Sequence, residues 1–178
     1  KLLAGLTRLR QLCCDPRLCL EEYAAGSGKL DQLIELAGGL AAQGRRMLIF
    51  SQFTSMLALL EEALHDAGLQ TLKLTGETDK IERMALVEQF NSGDIPVFLI
   101  SLKAGGTGLN LTGADVVIHY DPWWNTAARN QATDRAYRIG QTKGVQVFDL
   151  IAADTIEERI VLLQQEKKAL SDGVLLGE

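Results

Sequence analysis

Two arginines three residues apart, Arg135 and Arg138, stand in a run that reads QATDRAYRIGQ from Gln131 to Gln141. At about 100° per residue of an α-helix, Gln131, Asp134, Arg135 and Arg138 fall in one polar stripe. Ala128, Ala132, Ala136 and Ile139 form a separate small, apolar stripe that can lie close against a sheet. A polar stripe faces either water or a cleft. In a cleft, paired guanidinium groups stabilise charge developing on a transferring phosphoryl group, and Gln131 and Asp134 can orient them. On an open face they are merely solvated. Upstream, Lys103 to Leu111 reads KAGGTGLNL and sets Gly105, Gly106 and Gly108 between two apolar runs. Glycines there permit positive φ and close approach of backbone to a ligand, or only a tight turn. Thr107, among them, carries a hydroxyl able to donate to a phosphate.

The elements that must position these residues follow a regular order. A leading helix carries Leu2, Leu3, Leu6, Leu9 and Leu12 at helical spacing and ends at Asp15-Pro16. Arg17 to Gly28 is loop-like, and a helix runs from Gly28-Lys29 to near Gly44. The spacing then predicts strands at Met47 to Phe50, Thr71 to Leu74, Val97 to Ile100, Asp115 to His119 and Val145 to Ile151. Helices are predicted at Thr54 to Ala67, Asp79 to Phe90, Thr126 to Arg138 and Asp154 to about Leu170. Strands that are continuous apolar runs, alternating with helices, imply a parallel sheet covered on both faces, an α/β fold. Ligands of such sheets gather beyond the carboxyl ends of the strands. Three predicted strands run out there into a hydroxyl residue: Ser51, Thr75 and Ser101. Such hydroxyls can contact successive phosphates of a nucleic acid, or cap turns.

Composition bounds what the chain can be. With 178 residues, 47% of them hydrophobic, it fits one ordinary domain. Its net charge of −5 argues against a nucleic-acid binder if taken as an average. The segment from Phe98 to Gln141 carries four cations against three carboxylates, however, and is net +1, so the rest holds −6. Cys13, Cys14 and Cys19 crowd one end without distant partners, which fits a reducing compartment. No CxxC is present, and His65 and His119 are remote in sequence, so no metal site is expected. No membrane-spanning run is present either. Gly26-Ser27-Gly28-Lys29 imitates a P-loop, but Tyr23 and Leu30 stand where a glycine and a Ser or Thr are required, and no apolar strand precedes it. The chain opens on Lys1 within a helical pattern and is read as a piece of a longer protein.

These residues resemble the helicase motifs of the second RecA-like lobe of the Swi/Snf class of superfamily 2 ATPases. The resemblance is carried by Leu48 through Phe53, Ser101 through Asp115, Tyr120 through Asn125 and Gln131 through Gln141. It extends to Leu9 through Cys13 and to Asp154 through Glu158. That class usually has proline after the Trp-Asn pair, where this chain has Thr126, a small departure because proline favours but is not required at a first helical position. The resemblance implies a RecA-like three-layer α/β/α domain of the P-loop NTPase type, without its own P-loop. It implies part of a DNA-dependent ATP hydrolase that tracks along double-stranded DNA.

Carried over residue by residue, Arg135 and Arg138 are arginine fingers, supported at the ATP cleft by Gln131, Asp134, Gly105 and Gly106. Ser51, Gln52, Thr75, Gly76, Thr107 and Trp124 line the DNA, while Trp123 is packed inside. ATP and Mg²⁺ belong to the full-length enzyme, with none bound by this chain alone, because the P-loop and the Asp-Glu pair lie in the first lobe. That lobe and double-stranded DNA are the expected partners; the chain by itself is expected to be an inactive monomer with no membrane contact. The implied location is cytoplasmic on the nucleoid, or nuclear. Residues 1–27 are expected to form a leading helix and connector from the preceding lobe, 28–170 the lobe itself, and 171–178 a tail. From a different class, the chain could be a non-motor α/β module that binds a nucleotide or partner.

Overall fold

The computed structural model describes residues 1–105, 108–137 and 141–175. Five strands form one sheet: β1 (Met47–Ser51), β2 (Thr71–Leu74), β3 (Val97–Ser101), β4 (Val116–His119) and β5 (Gln146–Asp149), in the order β2-β3-β1-β4-β5. Every pairing is parallel. The expected parallel sheet therefore holds. Its three central strands are buried along their whole length, as strands covered on both faces must be.

Side-chain alternation sorts the core into two layers. Met47, Ile49, Val97, Leu99, Val116 and Ile118 point to one face and meet α2 (Gly28–Ala42) and α3 (Thr54–Asp66) through Leu33, Leu40, Leu57 and Leu60. Leu48, Phe50, Phe98, Ile100 and Val117 point to the other. There they meet Phe90 of α4 (Lys80–Ser92), Ala104 of α5 (Leu102–Gly105) and Ala132 of α6 (Thr126–Thr133). The result is a three-layer α/β/α domain. Helix α1 (Leu2–Cys14) contacts α2 and α7 (Ile156–Leu175).

Local chemistry sets the ends. Asp79 accepts from the amides of Ile81 and Glu82, both at 2.9 Å, and so caps α4. Gly44 and Gly68 close α2 and α3 with φ of +71° and +81°, a conformation that glycine adopts without penalty. Each is followed by a paired return: Arg45 N–H to Leu40 O at 3.0 Å after α2, and Leu69 N–H to Leu64 O at 2.9 Å after α3.

In α1, which forms where the helical spacing placed it, Leu2 and Leu3 are exposed, and Arg10 and Cys14 turn inward. Expectations for later elements change. The glycine stretch begins as a helical turn, α5, before Gly108 takes φ of +52°. β5 is shorter than Val145 to Ile151, and α7 begins at Ile156. Finally, α6 stops at Thr133 instead of running to Arg138. Its last turn tightens, with Arg135 N–H to Ala132 O and Ala136 N–H to Thr133 O at 3.2 Å each. The carbonyl of Arg135 is spent on Leu111 N–H at 3.0 Å, outside the helix.

Lys29, from the P-loop imitation, is an internal tie. Ser27 caps α2 and donates its hydroxyl to Cys14 O at 3.1 Å. Lys29 Nζ donates to the carbonyls of Tyr120 at 2.9 Å and Leu150 at 3.2 Å, and to Glu157 Oε1. The ends of β4 and β5 and the start of α7 thus share one ammonium. Both charged side chains are nearly inaccessible, 6% and 1% exposed. Removing one partner of a buried pair leaves the other charge uncompensated. Lys29→Met is therefore expected to cost about 3 to 5 kcal/mol in urea unfolding, and Lys29→Met with Glu157→Leu to recover most of that loss.

Candidate functional site

The carboxyl edge of the sheet collects most of the predicted residues. Ser51 and Ser101 are register partners on β1 and β3, and Thr75 follows Leu74, whose partner is Ile100. Three hydroxyl residues therefore stand in a row, each with a local bond. Ser51 is fully buried, donating to Asp121 Oδ1 at 2.5 Å and accepting from Phe53 N–H at 3.2 Å. Ser101 Oγ accepts from Ala104 N–H at 3.4 Å. Thr75 Oγ1 accepts from Glu77 N–H at 3.3 Å. Gly76 is exposed, has no positive φ, and a Cβ added there would meet only Lys103 Cβ, at 3.9 Å. Nothing within the described chain requires glycine at that position.

The loop after β4 docks onto the loop after β1. Asp121, 1% exposed, accepts from Ser51 Oγ and from Gln52 N–H at 3.2 Å. Gln52 Nε2 donates to Pro122 O at 3.0 Å. Trp123 is buried edge-on against Phe50 and His119, with ring centroids 6.2 and 5.4 Å away. Trp124 is 46% exposed. Asn125 then caps α6, accepting from Ala127 N–H at 3.0 Å and Ala128 N–H at 3.3 Å. The first helical residue is Thr126.

His119 closes β4 beneath this loop. Thr133 Oγ1 donates to Arg129 O at 3.1 Å, so its lone pair receives the Nε2–H of His119 at 2.9 Å. Nδ1 is then the bare nitrogen, and it has no hydrogen-bond partner among the described residues. Burial first, then the nearby Arg129 charge, lowers the His119 pKa to about 4, with Asp149 opposing. Burial likewise raises Asp121 to about 6, against the hydrogen bonds from Ser51 and Gln52 and the charge of Lys29.

The arginine segment lies beside the glycine loop. Gln131 and Asp134 are exposed, whereas Arg135 is 5% exposed, so these three do not share the polar stripe that a continued helix would give. Ala132 and Ala136 are buried as the apolar stripe requires. Gln141 Nε2 ties the segment to the turn before β4, through Ala136 O at 3.3 Å, Thr112 O at 3.1 Å and Ala114 O at 2.6 Å. Gly105 ends α5. Gly106, Thr107 and Arg138 lie outside the described residues. Among the described residues no group of three or more His, Cys, Asp or Glu is placed to hold a metal ion. No described helix is long and apolar enough to cross a membrane. A groove of about 1050 Å³ between α4 and Gly108 to Asn110 borders the glycine loop; Asn91 Nδ2 donates to Asn110 O at 2.8 Å between its two sides.

Sequence reasoning missed the working parts beneath the edge: Asp121, His119, Arg83 and Arg10. A carboxylate two residues beyond an apolar strand, as Asp121 is, was the available signal. Arg83 donates to Thr78 O at 2.9 Å and Thr75 O at 3.3 Å; its partners are set by tertiary placement, which no spacing reveals. The shifts of Asp121 and His119 act in the same pH window with opposite sign. The raised Asp121 pKa gives stability that is present below about pH 4 and lost as pH rises through about 6. The lowered His119 pKa gives stability that is present above about 6.5 and lost as pH falls through about 4. Asp121→Asn removes only the first. Between pH 4 and 6.5 the variant is expected to gain more stability than the wild type, by up to about 3 kcal/mol in urea titrations. Parallel profiles for the two proteins would contradict it.

Residues 28–140 match the helicase conserved C-terminal domain family. A putative ATP-dependent helicase/translocase of Bacillus subtilis, YwqA, is 45% identical over 99% of this chain and 20% of its own length. The human chromatin-remodeling ATPase INO80 is 46% identical over 88% of this chain and 10% of its own. The Sulfolobus solfataricus SWI2/SNF2 ATPase core, solved in complex with double-stranded DNA, superposes with a TM-score of 0.81 and 36% identity, over 94% of this chain and 36% of that one. The chain thus spans about a fifth or less of these two curated relatives.

Proposed function

Since this chain belongs to the helicase conserved C-terminal domain family, in its Swi/Snf branch, we propose that it is the second RecA-like lobe of an ATP-driven translocase on double-stranded DNA. In this reading residues 1–27 lead in from the first lobe, which holds ATP and Mg²⁺, and 171–178 form a tail. The protein works on DNA in a nucleoid or nucleus. Arg135 and Arg138 reach the γ-phosphate as arginine fingers, with Gln131, Asp134, Gly105 and Gly106 supporting the cleft. Ser51, Gln52, Thr75, Gly76, Thr107 and Trp124 follow the DNA backbone. The lobe alone neither hydrolyses ATP nor translocates, since an arginine finger acts only on a phosphate that another site supplies.

The observation that carries the reading is the bond from Leu111 N–H to Arg135 O, 3.0 Å. It joins the end of the glycine stretch to the arginine segment, so a contact made at the DNA edge and an arginine at the nucleotide share one mechanical connection. Gly76 supports the DNA side: its open surroundings leave room for a phosphate backbone to approach closely. Lys29, consumed by Tyr120, Leu150 and Glu157, supports assigning the phosphate cradle to another lobe.

Two variants of the full-length protein test the two halves of the site. Arg138→Ala is expected to lower DNA-stimulated ATP turnover by about 10³ to 10⁵ while duplex affinity stays within about threefold. Gly76→Ala is expected to keep the unfolding midpoint and weaken duplex binding by about tenfold, since a methyl group that holds one phosphate at a distance forfeits a hydrogen bond worth about 1.4 kcal/mol. Unchanged turnover in Arg138→Ala would make the arginines a solvated face and favour a non-motor module.

A further inference from the structure

We infer that Arg10, on the helix that precedes the family-matched region, is a positioning residue for the DNA-facing loops after β1 and β4. The inference rests on the DNA reading above. Arg10 is 8% exposed and lies 18 residues before the matched segment begins at Gly28. Its Nη2 donates to Gln52 Oε1 on the first loop and to Pro122 O, 3.4 Å away, on the second. The guanidinium carbon sits 5.6 Å from the Phe53 ring centroid and 5.8 Å from that of Trp124. One planar cation therefore touches two residues of each loop.

These interactions fix what the loops present. The Gln52 amide is oriented from both ends, its oxygen accepting from Arg10 and its nitrogen donating to Pro122 O at 3.0 Å. Trp124 is half exposed, with Arg10 over its ring as a cation–π partner. The chemistry also favours a polyanion nearby. Arg17, Arg45 and Arg129 each pair with a carboxylate, whereas Arg10 forms no salt bridge among the described residues and meets neutral acceptors and ring faces. A buried positive charge without a counter-ion adds to the field at the edge where phosphates would lie. Lysine would keep that charge but not the planar fork that spans both loops.

The test compares duplex affinity, by fluorescence anisotropy with a labelled blunt duplex at fixed salt, among variants of the full-length protein. Arg10→Met is expected to weaken binding about tenfold and Arg10→Lys by at least about threefold, with turnover at saturating duplex preserved within about twofold. Trp124→Ala should weaken binding alone, and adding Arg10→Met to it should cost clearly less than the roughly tenfold that Arg10→Met costs alone, because part of the Arg10 effect passes through the tryptophan. Unchanged affinity in Arg10→Met, additive losses in the double variant, or full rescue by Arg10→Lys would each overturn the positioning role. If Gln52→Ala and Trp124→Ala both bind duplex normally, the DNA reading itself fails. Amide hydrogen exchange gives an arm free of DNA: Arg10→Met should speed exchange at Gln52, Phe53 and Trp124 and leave Glu77 and Thr78 unchanged, and equal rates at all five would also overturn it.

Discussion

Asp121 accepts hydrogen bonds from Ser51 Oγ at 2.5 Å and from the Gln52 amide at 3.2 Å, and the carboxyl edge of the sheet depends on that joint. β1 and β4 are neighbours in the sheet, but strand pairing ends at the Phe50 and His119 register. Beyond it the two loops would diverge without a group to bridge them. A buried carboxylate is a costly bridge, which is why its pKa is drawn upward. Two donors, a hydroxyl and a backbone amide, make the arrangement tolerable, with the charge of the Lys29 ammonium helping at longer range. Around the joint each loop is pinned again, by Gln52 to Pro122 and by Arg10 to both.

Lys29 collects the carbonyl ends of β4 and β5 and the first turn of α7. Arg83 collects Thr75 and Thr78 beside α5, and Gln141 joins the arginine turn, through Ala136 O, to the turn before β4, through Thr112 O. In each case one side chain satisfies backbone carbonyls left over where regular structure ends. Irregular loops carry such orphan acceptors by necessity. Long cationic and amide side chains answer them and tie the described loops to the end of the sheet.

Much of this fold was legible in the sequence, since continuous apolar strands and capped amphipathic helices state their own period. The continuous apolar run from Met47 to Phe50 implied a strand covered on both faces, and the structure sets Met47 and Ile49 on one face and Leu48 and Phe50 on the other. What failed was local extrapolation. The stripe through Arg135 assumed that α6 continued, but a tertiary bond to Leu111 takes the Arg135 carbonyl and the chain turns. The leucine spacing located α1, but it did not show that Arg10 and Cys14 are its buried residues. Buried polar residues such as Arg10, Lys29 and Asp121 are invisible to hydrophobic periodicity, because their partners come from distant segments. The row of hydroxyls was foreseeable from strand ends; the commitment of Ser51 to Asp121 was not.

The central claim is that this lobe completes a nucleotide site it does not itself contain. The most direct measurement is steady-state ATP hydrolysis with saturating double-stranded DNA, made side by side on the purified 178-residue chain and on the full-length protein. The account predicts DNA-stimulated turnover in the full-length protein and none above background in the isolated chain, since phosphoryl transfer there lacks its phosphate cradle. DNA-stimulated hydrolysis by the isolated chain at a rate comparable to the full-length protein would contradict it.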